Sequence, residues 1–213
     1  MRLLSGFFAG ILLTVFCTNL PKNSGEWSGW VQAFGSIGAI LVAVWVLQQQ
    51  NNQSIRRANE EVEQIILSLR DEAVTLLGGF RQINAASLMA NPEGPYVMRI
   101  PVSDAAFVIY NHTASQVGKI KNDELRAQIV ITYARAFGFV RSLTLNNSLV
   151  GEYEDRLVEQ ARDKAAYGPL VEDKLRQLTD YGPKLRRLYL AAEAEVEKLA
   201  LMVAKEIHVR ERR

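Results

Sequence analysis

The stretch WVQAFGSIGAILVAVWVL, residues 30–47, is central to predicting the fold. It contains 18 residues and carries no charge. A helix of about 20 predominantly apolar residues crosses the hydrocarbon core of a bilayer. The sequence therefore predicts a membrane-spanning helix over residues 30–47, and the remainder of the chain is interpreted from that starting point.

A second uncharged run precedes it, LLSGFFAGILLTVFCTNL at residues 3–20. The connector between the two runs, PKNSGEWSG at residues 21–29, contains one proline and two glycines, a composition typical of a tight loop. We therefore expect an N-terminal two-helix transmembrane hairpin over residues 1–50. The alternative for the first run is a cleaved signal peptide with Arg2 as its basic start.

The charges that flank the two runs predict the orientation of the hairpin. Arg2 precedes the first run, Arg56 and Arg57 follow the second, and the connector has no net charge. Because basic residues accumulate on the cytoplasmic side, both termini are expected in the cytoplasm of a bacterium, with the hairpin in the inner membrane. Tryptophans favour the membrane–water interfaces. The predicted interface anchors are Trp27 and Trp30 outside and Trp45 inside.

Small residues recur at intervals of four along both runs. In a bilayer such a pattern allows two helices to approach closely. The pattern does not decide whether the two faces pack on each other within one chain or between chains. The predicted helix-packing residues in the membrane are Gly6, Gly10, Thr14, Gly35, Ala39 and Ala43.

The rest of the chain is highly charged but nearly balanced. Up to Gln53 the only charges are Arg2, Lys22 and Glu26, so 23 basic and 22 acidic residues follow. This balance gives no reason to expect direct nucleic-acid binding. The single cysteine, Cys17, lies in the first apolar run, which excludes an intrachain disulfide and a cysteine-based zinc cluster.

Apolar residues spaced by seven predict a long membrane-proximal helix over residues 51–90. Nothing breaks the helical pattern before Gly78-Gly79. Such a seam packs either within the domain or against a partner chain, and both readings stay open. The predicted partner or bundle seam consists of Ile55, Val62, Leu69, Leu76 and Ile83.

Residues 103–213 are expected to form a helical cytoplasmic domain, separated from the long helix by the proline-rich loop NPEGPYVMRIP. A short helix is predicted over residues 103–116 with Ser103 or Asp104 as its cap, and a longer one begins at Asn122 or Asp123. The sequence NNSL at residues 146–149 indicates an end or a kink in that helix. The overall fold class is all-α.

The tripeptide YGP occurs twice, at residues 167–169 and 181–183. Glycine often ends a helix and proline often begins one, so the two copies predict two helix starts. The last helix is expected from Pro183 to about Val209. Its predicted apolar stripe is Leu185, Leu188, Ala192, Val196, Leu199, Val203 and Ile207.

No arrangement of residues predicts catalysis. His112 and His208 have no Cys or His neighbour at ligand spacing, and no phosphate-binding loop or nucleophile motif is present. The acidic clusters at residues 60–63 and 193–197 are interpreted as solvated helix faces. His112 is the one remaining candidate. The expectation is a protein that is not an enzyme, with no cofactor and no metal.

Two segments carry a resemblance to a known group. WVQAFGSIGAI at residues 30–40 and VGKIKNDELRAQIVITYARAFGFVRSL at residues 117–143 resemble a loose group of small bacterial membrane proteins, each with a tryptophan-flanked anchor and a helical domain. Some small two-pass proteins of this shape are effectors of phage-defence systems, including systems encoded with retron reverse transcriptases. The resemblance implies no particular functional residue.

Two functions fit these expectations. The first is a membrane-disrupting or pore-forming effector, controlled when a protein or ribonucleoprotein regulator binds the helical body. The second is a membrane-tethered scaffold, with a superinfection-exclusion protein as a further alternative. Membrane lipid and self-association are the expected partners in the first case.

Overall fold

The computed structural model of the chain describes Thr14, residues 23–103 and residues 106–211. Within these residues every regular element is a helix and no strand occurs, so the predicted all-α class is confirmed. The chain divides into two compact units, Met1–Ala58 and Asn59–Arg213. The helices are α1 (Ser24–Ile83), α2 (Ala85–Met89), α3 (Val108–Thr113), a 3-10 helix (Ala114–Lys119), α4 (Asp123–Gln160) and α5 (Lys164–Glu211).

Helix α1 begins earlier than the sequence predicted. The Asn23 Oδ1 accepts a hydrogen bond of 2.9 Å from the Glu26 backbone N–H, and the Glu26 carboxylate accepts one of 3.0 Å from the Asn23 side chain. This is the usual role of asparagine at a helix N-terminus. The prediction of a loop over residues 21–29 is therefore wrong from Ser24 onward, because the glycines and serines of the connector are tolerated after a capped first turn.

The second unit, Asn59–Arg213, is called the body here. The far end of α1 contributes one side of its hydrophobic core. Ile65, Ile66, Leu69, Ala73 and Leu77 are buried, and they recur at a helical rather than a seven-residue spacing. The helix continues past Gly78-Gly79 to Ile83 because the ring of the next residue is held on both sides. The Phe80 ring lies 4.8 Å from that of Phe139 and 5.1 Å from that of Tyr189.

Helices α4 and α5 supply the other sides. Asn122 caps α4, as one of the two predicted candidates, with its Oδ1 3.1 Å from the Leu125 N–H. The α5 stripe was predicted correctly: Leu185, Ala192, Val196, Leu199 and Val203 are buried, and Leu188 and Ile207 pack against them.

Helix α4 runs without a break through residues 146–149, so the prediction of an end or kink at NNSL is wrong. The Asn147 side chain accepts a 3.0 Å hydrogen bond from the Ile100 N–H and donates one of 2.6 Å to the Ile100 carbonyl. The buried Asn146 donates to the Met98 carbonyl at 3.3 Å. The two amides hold the extended segment before α3 against α4 and leave the helix backbone of α4 intact.

Helix α3 is shorter than predicted and has a different cap. Its N-cap residue is Phe107, whose φ of 63° lies in the left-handed region. The cap comes from α1 instead, because the Glu72 carboxylate accepts from the backbone N–H groups of Ile109 (2.7 Å) and Tyr110 (3.0 Å). The left-handed backbone costs about 1–2 kcal/mol, and burial of the Phe107 ring beside Phe137 at 4.5 Å offsets it.

Both YGP copies lie inside the single helix α5, so the prediction of two helix starts is wrong. A residue with a Cβ before proline is disfavoured in the helical conformation, and glycine avoids that clash. Gly182 has a second constraint, since a Cβ there would lie 2.3 Å from the Gly94 carbonyl oxygen. Gly168 has only an ordinary neighbour, at 3.7 Å.

Candidate functional site

Within the described part of the chain, α1 is the one helix that is long and apolar enough to cross a membrane. None of its apolar window is buried by the protein. Apolar residues such as Ile40, Leu41 and Trp45 expose more than three fifths of their surface there. Such a continuous exposed apolar surface is stable only when another apolar phase or partner covers it.

Among the described residues, nothing packs on the small-residue face of this stretch. Gly35, Ala39 and Ala43 are all exposed, and a Cβ placed on Gly35 or Gly38 would meet no described atom within 4 Å. The Ser36 hydroxyl donates to the Ala33 carbonyl at 2.9 Å, so its polar group is satisfied within its own helix. The face is therefore free to accept a second helix at short distance.

The other predicted membrane residues are described only in part. Gly6 and Gly10, and nearly all of the first apolar run, lie outside the described residues. Thr14 is described as helical and exposed. The two-pass hairpin accordingly stays a prediction.

The three tryptophans lie at the two ends of the apolar stretch. Trp27 is 51% exposed and Trp45 is 64% exposed, while Trp30 is half-buried against Phe34 with ring centroids 5.4 Å apart. From Trp27 to Trp45 the helix rises about 27 Å, close to the roughly 30 Å thickness of the hydrocarbon core. Their spacing suits interface anchors at both surfaces.

The predicted heptad seam is divided by the structure. Val62 and Leu69 face the core, whereas Ile55, Leu76 and Ile83 are 51%, 39% and 79% exposed. A straight α-helix rotates about 20° per heptad relative to a seven-residue repeat, so a line of residues seven apart drifts away from the core. Only Val62 and Leu69 of the predicted seam therefore pack in the core of the bundle. The role of the seam in binding a partner stays a prediction.

The residues considered as candidates for catalysis or metal binding make local hydrogen bonds or lie exposed on helices. The His112 Nδ1 lies 2.8 Å from the Val108 carbonyl, one turn back in its own short helix. Of the first predicted solvated cluster, Glu60 and Glu61 are exposed and Glu63 is half-buried. Glu195 is different, because its carboxylate accepts a 2.7 Å hydrogen bond from the buried Gln128 and thereby joins α5 to α4. No group of three metal-ligating side chains occurs among the described residues.

The polar contacts that organise the body were missed at the sequence level. Arg186 is 4% exposed and donates to three backbone carbonyls, those of Leu88 (2.6 Å), Pro92 (3.0 Å) and Gly94 (2.9 Å). Burial lowers the pKa of the Arg186 guanidinium. The one feature of the sequence that pointed to this contact is the nearby YGP tripeptide at residues 181–183. Its glycine leaves room for the loop that contains Gly94.

A second missed contact joins α1 to α4. The buried Tyr133 hydroxyl lies 2.8 Å from both the Leu69 carbonyl oxygen and the Glu72 carboxylate. Burial, followed by the hydrogen bond to Glu72, raises the pKa of Tyr133. The ring also stacks on Tyr110 with centroids 4.0 Å apart. Glu72 thus links three helices, which indicates a structural rather than a chemical use of the carboxylate.

An apolar groove of about 360 Å³ opens between the end of α1, the segment Ile100–Ser103 and α4. Its described lining contains polar groups only at Thr75, Asn84 and Ser103, and none of these titrates near neutral pH. The described lining of the groove offers an apolar surface and no acid–base pair.

No protein-family model, curated protein or solved structure matches this chain. The resemblance of residues 30–40 and 117–143 to small bacterial membrane proteins therefore stays a prediction.

Proposed function

We propose that this chain is a non-enzymatic effector of the bacterial inner membrane, which breaches the membrane when its transmembrane helices associate. The observation that carries the proposal is the stretch at residues 30–47, which is uncharged, contains no buried residue and exposes its small residues in the described part of the chain. Lipid covers its bulky side chains, and a second helix meets Gly35, Ala39 and Ala43. The expected partners are lipid and further copies of the chain.

The proposed topology is a two-pass hairpin with both termini in the cytoplasm. The basic residues Arg2, Arg56 and Arg57 support this orientation through the positive-inside rule. The face formed by Gly35, Ala39 and Ala43 would then pack against the face formed by Gly6, Gly10 and Thr14. The two faces would belong to the same chain or to two neighbouring chains.

The helical body is proposed as the controlling element. It has its own core, confined to residues 65–203, and it presents exposed apolar side chains at Leu76 and Ile83. A regulator, either a protein or a ribonucleoprotein, holds the body until a signal releases it. Phage defence is the setting that the resemblance implies.

The experiment measures inner-membrane potential with a potential-sensitive dye after induced expression in bacteria. Gly35→Leu with Ala39→Leu fills the small-residue face and keeps the segment apolar. The control, Ala33→Leu with Val44→Leu, adds bulk on the opposite side of the same helix. Filling the face prevents the close approach of a second helix. Because a loss of about 1.4 kcal/mol weakens association tenfold, depolarisation should slow on the order of tenfold.

The parent and the control variant are expected to depolarise the membrane at similar rates when inserted at matched levels. Equal depolarisation by the face variant would overturn the assignment of the small-residue face. Absence of depolarisation from inserted parent protein, with and without phage challenge, would overturn the effector function.

A membrane-tethered scaffold is the second candidate, favoured by the exposure of Leu76 (39%) and Ile83 (79%) at the end of α1. In that case residues 1–50 only localise the body. Replacing them with an unrelated two-pass anchor distinguishes the functions, because a scaffold retains activity and an effector loses it.

A further inference from the structure

The outward side of α5 carries a continuous stripe of exposed cationic and apolar side chains. Its members recur every three or four residues, which places them along one side of a helix. The stripe is about 36 Å long at 1.5 Å per residue. We call it the basic face, and it consists of Lys184, Arg187, Leu190, Ala194, Lys198, Leu201, Lys205 and His208.

The acidic residues of the same helix segment bond to neighbouring helices or to the cap of α4. Glu193 and Glu197 contact Arg81 of α1 at 3.3 and 3.2 Å. The remaining two bond to α4 and its cap: Glu195 to Gln128 at 2.7 Å and Glu206 to Asn122 at 2.8 Å. These four carboxylates of α5 are therefore occupied by partners on neighbouring elements.

Among the described residues, the four cations of the basic face other than His208 have no such partners. Within the described part of the chain, the ion pairs do not include Lys184, Arg187, Lys198 or Lys205. The body as a whole is nearly neutral, with 23 basic and 22 acidic residues after Gln53. The face is thus a local field of one sign on an otherwise balanced surface, and it suits an anionic partner.

The apolar residues between the cations indicate which anionic partner. Leu190 is 50% exposed and Leu201 is 73% exposed, and both lie between lysine or arginine positions. Helices that lie on membranes combine cations with large apolar side chains that enter the boundary between headgroups and acyl chains. A surface for single-stranded nucleic acid would instead present several aromatic rings for base stacking, and the basic face has no Phe, Tyr or Trp and only His208 at its end.

We infer that the basic face of α5 docks on anionic phospholipid headgroups. The four cations contact lipid phosphates, and Leu190 and Leu201 enter the headgroup region. This inference rests on the membrane location in the proposed function and adds a contact between the body and lipid. The body would then have two states, docked on the membrane and free of it, and the regulator would favour one of them.

The test uses the full chain reconstituted in lipid nanodiscs, with Cys17→Ser removing the native thiol and Leu201→Cys supplying a reporter. The rate of maleimide labelling is compared in phosphatidylcholine discs and in discs that also contain phosphatidylglycerol. Each cation near an anionic surface strengthens binding about fivefold. We expect labelling to slow on the order of tenfold in the anionic discs and to recover in high salt, because salt screens the attraction.

Two matched variants determine whether the basic face is responsible. Neutralising Arg187, Lys198 and Lys205 to glutamine should abolish the difference between the discs. Neutralising three exposed cations elsewhere should leave it unchanged; these are Lys121, Arg135 and Arg141. Far-UV circular dichroism checks that both variants retain the helical content of the parent.

Three results would overturn the inference: equal labelling in the two discs, loss of the difference in both variants, or slowing by added single-stranded RNA in place of anionic lipid. These results leave the membrane location intact, since the chain is inserted in all of them. Failure of the chain to insert into either disc would instead overturn the membrane location on which both proposals depend.

Discussion

The two parts of α1 use apolar side chains in opposite ways. Residues 30–47 are apolar around most of the helix, and none of these residues is buried by protein. Residues 62–80 bury one side, with Leu69 and Ala73 fully inaccessible, and leave only Val74 and Leu76 as exposed large apolar residues. The amount of apolar surface therefore matters less than its distribution: a helix that is apolar all round needs lipid or a partner, and a one-sided helix builds a core.

The largest expected effect comes from removing the same side chain in each part. Leu69→Ala leaves a cavity in the core and should lower the free energy of unfolding of the body by about 2–5 kcal/mol. Leu41→Ala, at a position that is 65% exposed, should leave it unchanged. Amide hydrogen exchange in α4, measured on the full chain in detergent, reports both values. A similar loss in both variants would show that residues 30–47 contribute to the core.

A smaller effect separates glycines that look alike in the sequence. Gly182→Ala should lower the free energy of unfolding of the body by about 1–3 kcal/mol relative to Gly168→Ala, because only the first places a Cβ against the Gly94 carbonyl. Both variants put a Cβ before a proline, so that cost cancels in the comparison. Gly35→Ala in the apolar part of α1 should not change this value. Urea unfolding in detergent measures all three, and equal effects at Gly182 and Gly168 would contradict the close contact.

The smallest expected effect is a pH dependence of the body's stability that arises from the buried Tyr133. The pKa of Tyr133 is raised above its ordinary value of 10.0 by burial and by the hydrogen bond to Glu72. The folded state therefore holds this proton more tightly, so its contribution to stability is complete below pH 10 and is lost as the pH rises further. The loss approaches about 1.4 kcal/mol per pH unit.

The measurement compares the parent with Tyr133→Phe by urea unfolding between pH 8 and pH 11.5, values set around the ordinary tyrosine pKa of about 10. The stability difference between them should be constant up to about pH 10 and should shrink above it. Lysines also titrate in this range, but they do so in both proteins. A difference that stays constant throughout would mean that Tyr133 is not buried beside the carboxylate.

Features that depend on residues close together in the sequence were predicted, and contacts between residues far apart in the sequence were not. The Asn122 cap and the stripe Leu185–Ile207 depend on spacings of three or four residues, and both were predicted correctly. The contact between Arg186 and the Leu88 carbonyl spans 98 positions, and the cap of α3 by Glu72 spans 37. No local pattern identifies such pairs, because the two members are brought together only when the helices pack.

The candidate site shows the same division. The apolar stretch at residues 30–47 and its small-residue spacing were recognisable in the sequence, and the exposure of that face is what the structure adds. The heptad line was less informative, since the drift of a straight helix separates Leu69, which is buried, from Ile83, which is exposed.

The sequence by itself determined the helical class, the apolar stretch that needs a membrane or a partner, and the apolar face of α5, since these follow from composition and periodicity along one helix. Only the tertiary structure decided that Pro169 and Pro183 lie inside a helix, that Asn147 holds a distant segment, and that Glu195 and Glu206 bond to α4 and its cap while Lys198 and Lys205 are exposed. Each of these depends on which neighbour supplies the missing hydrogen bond or opposite charge, and that neighbour is distant in sequence.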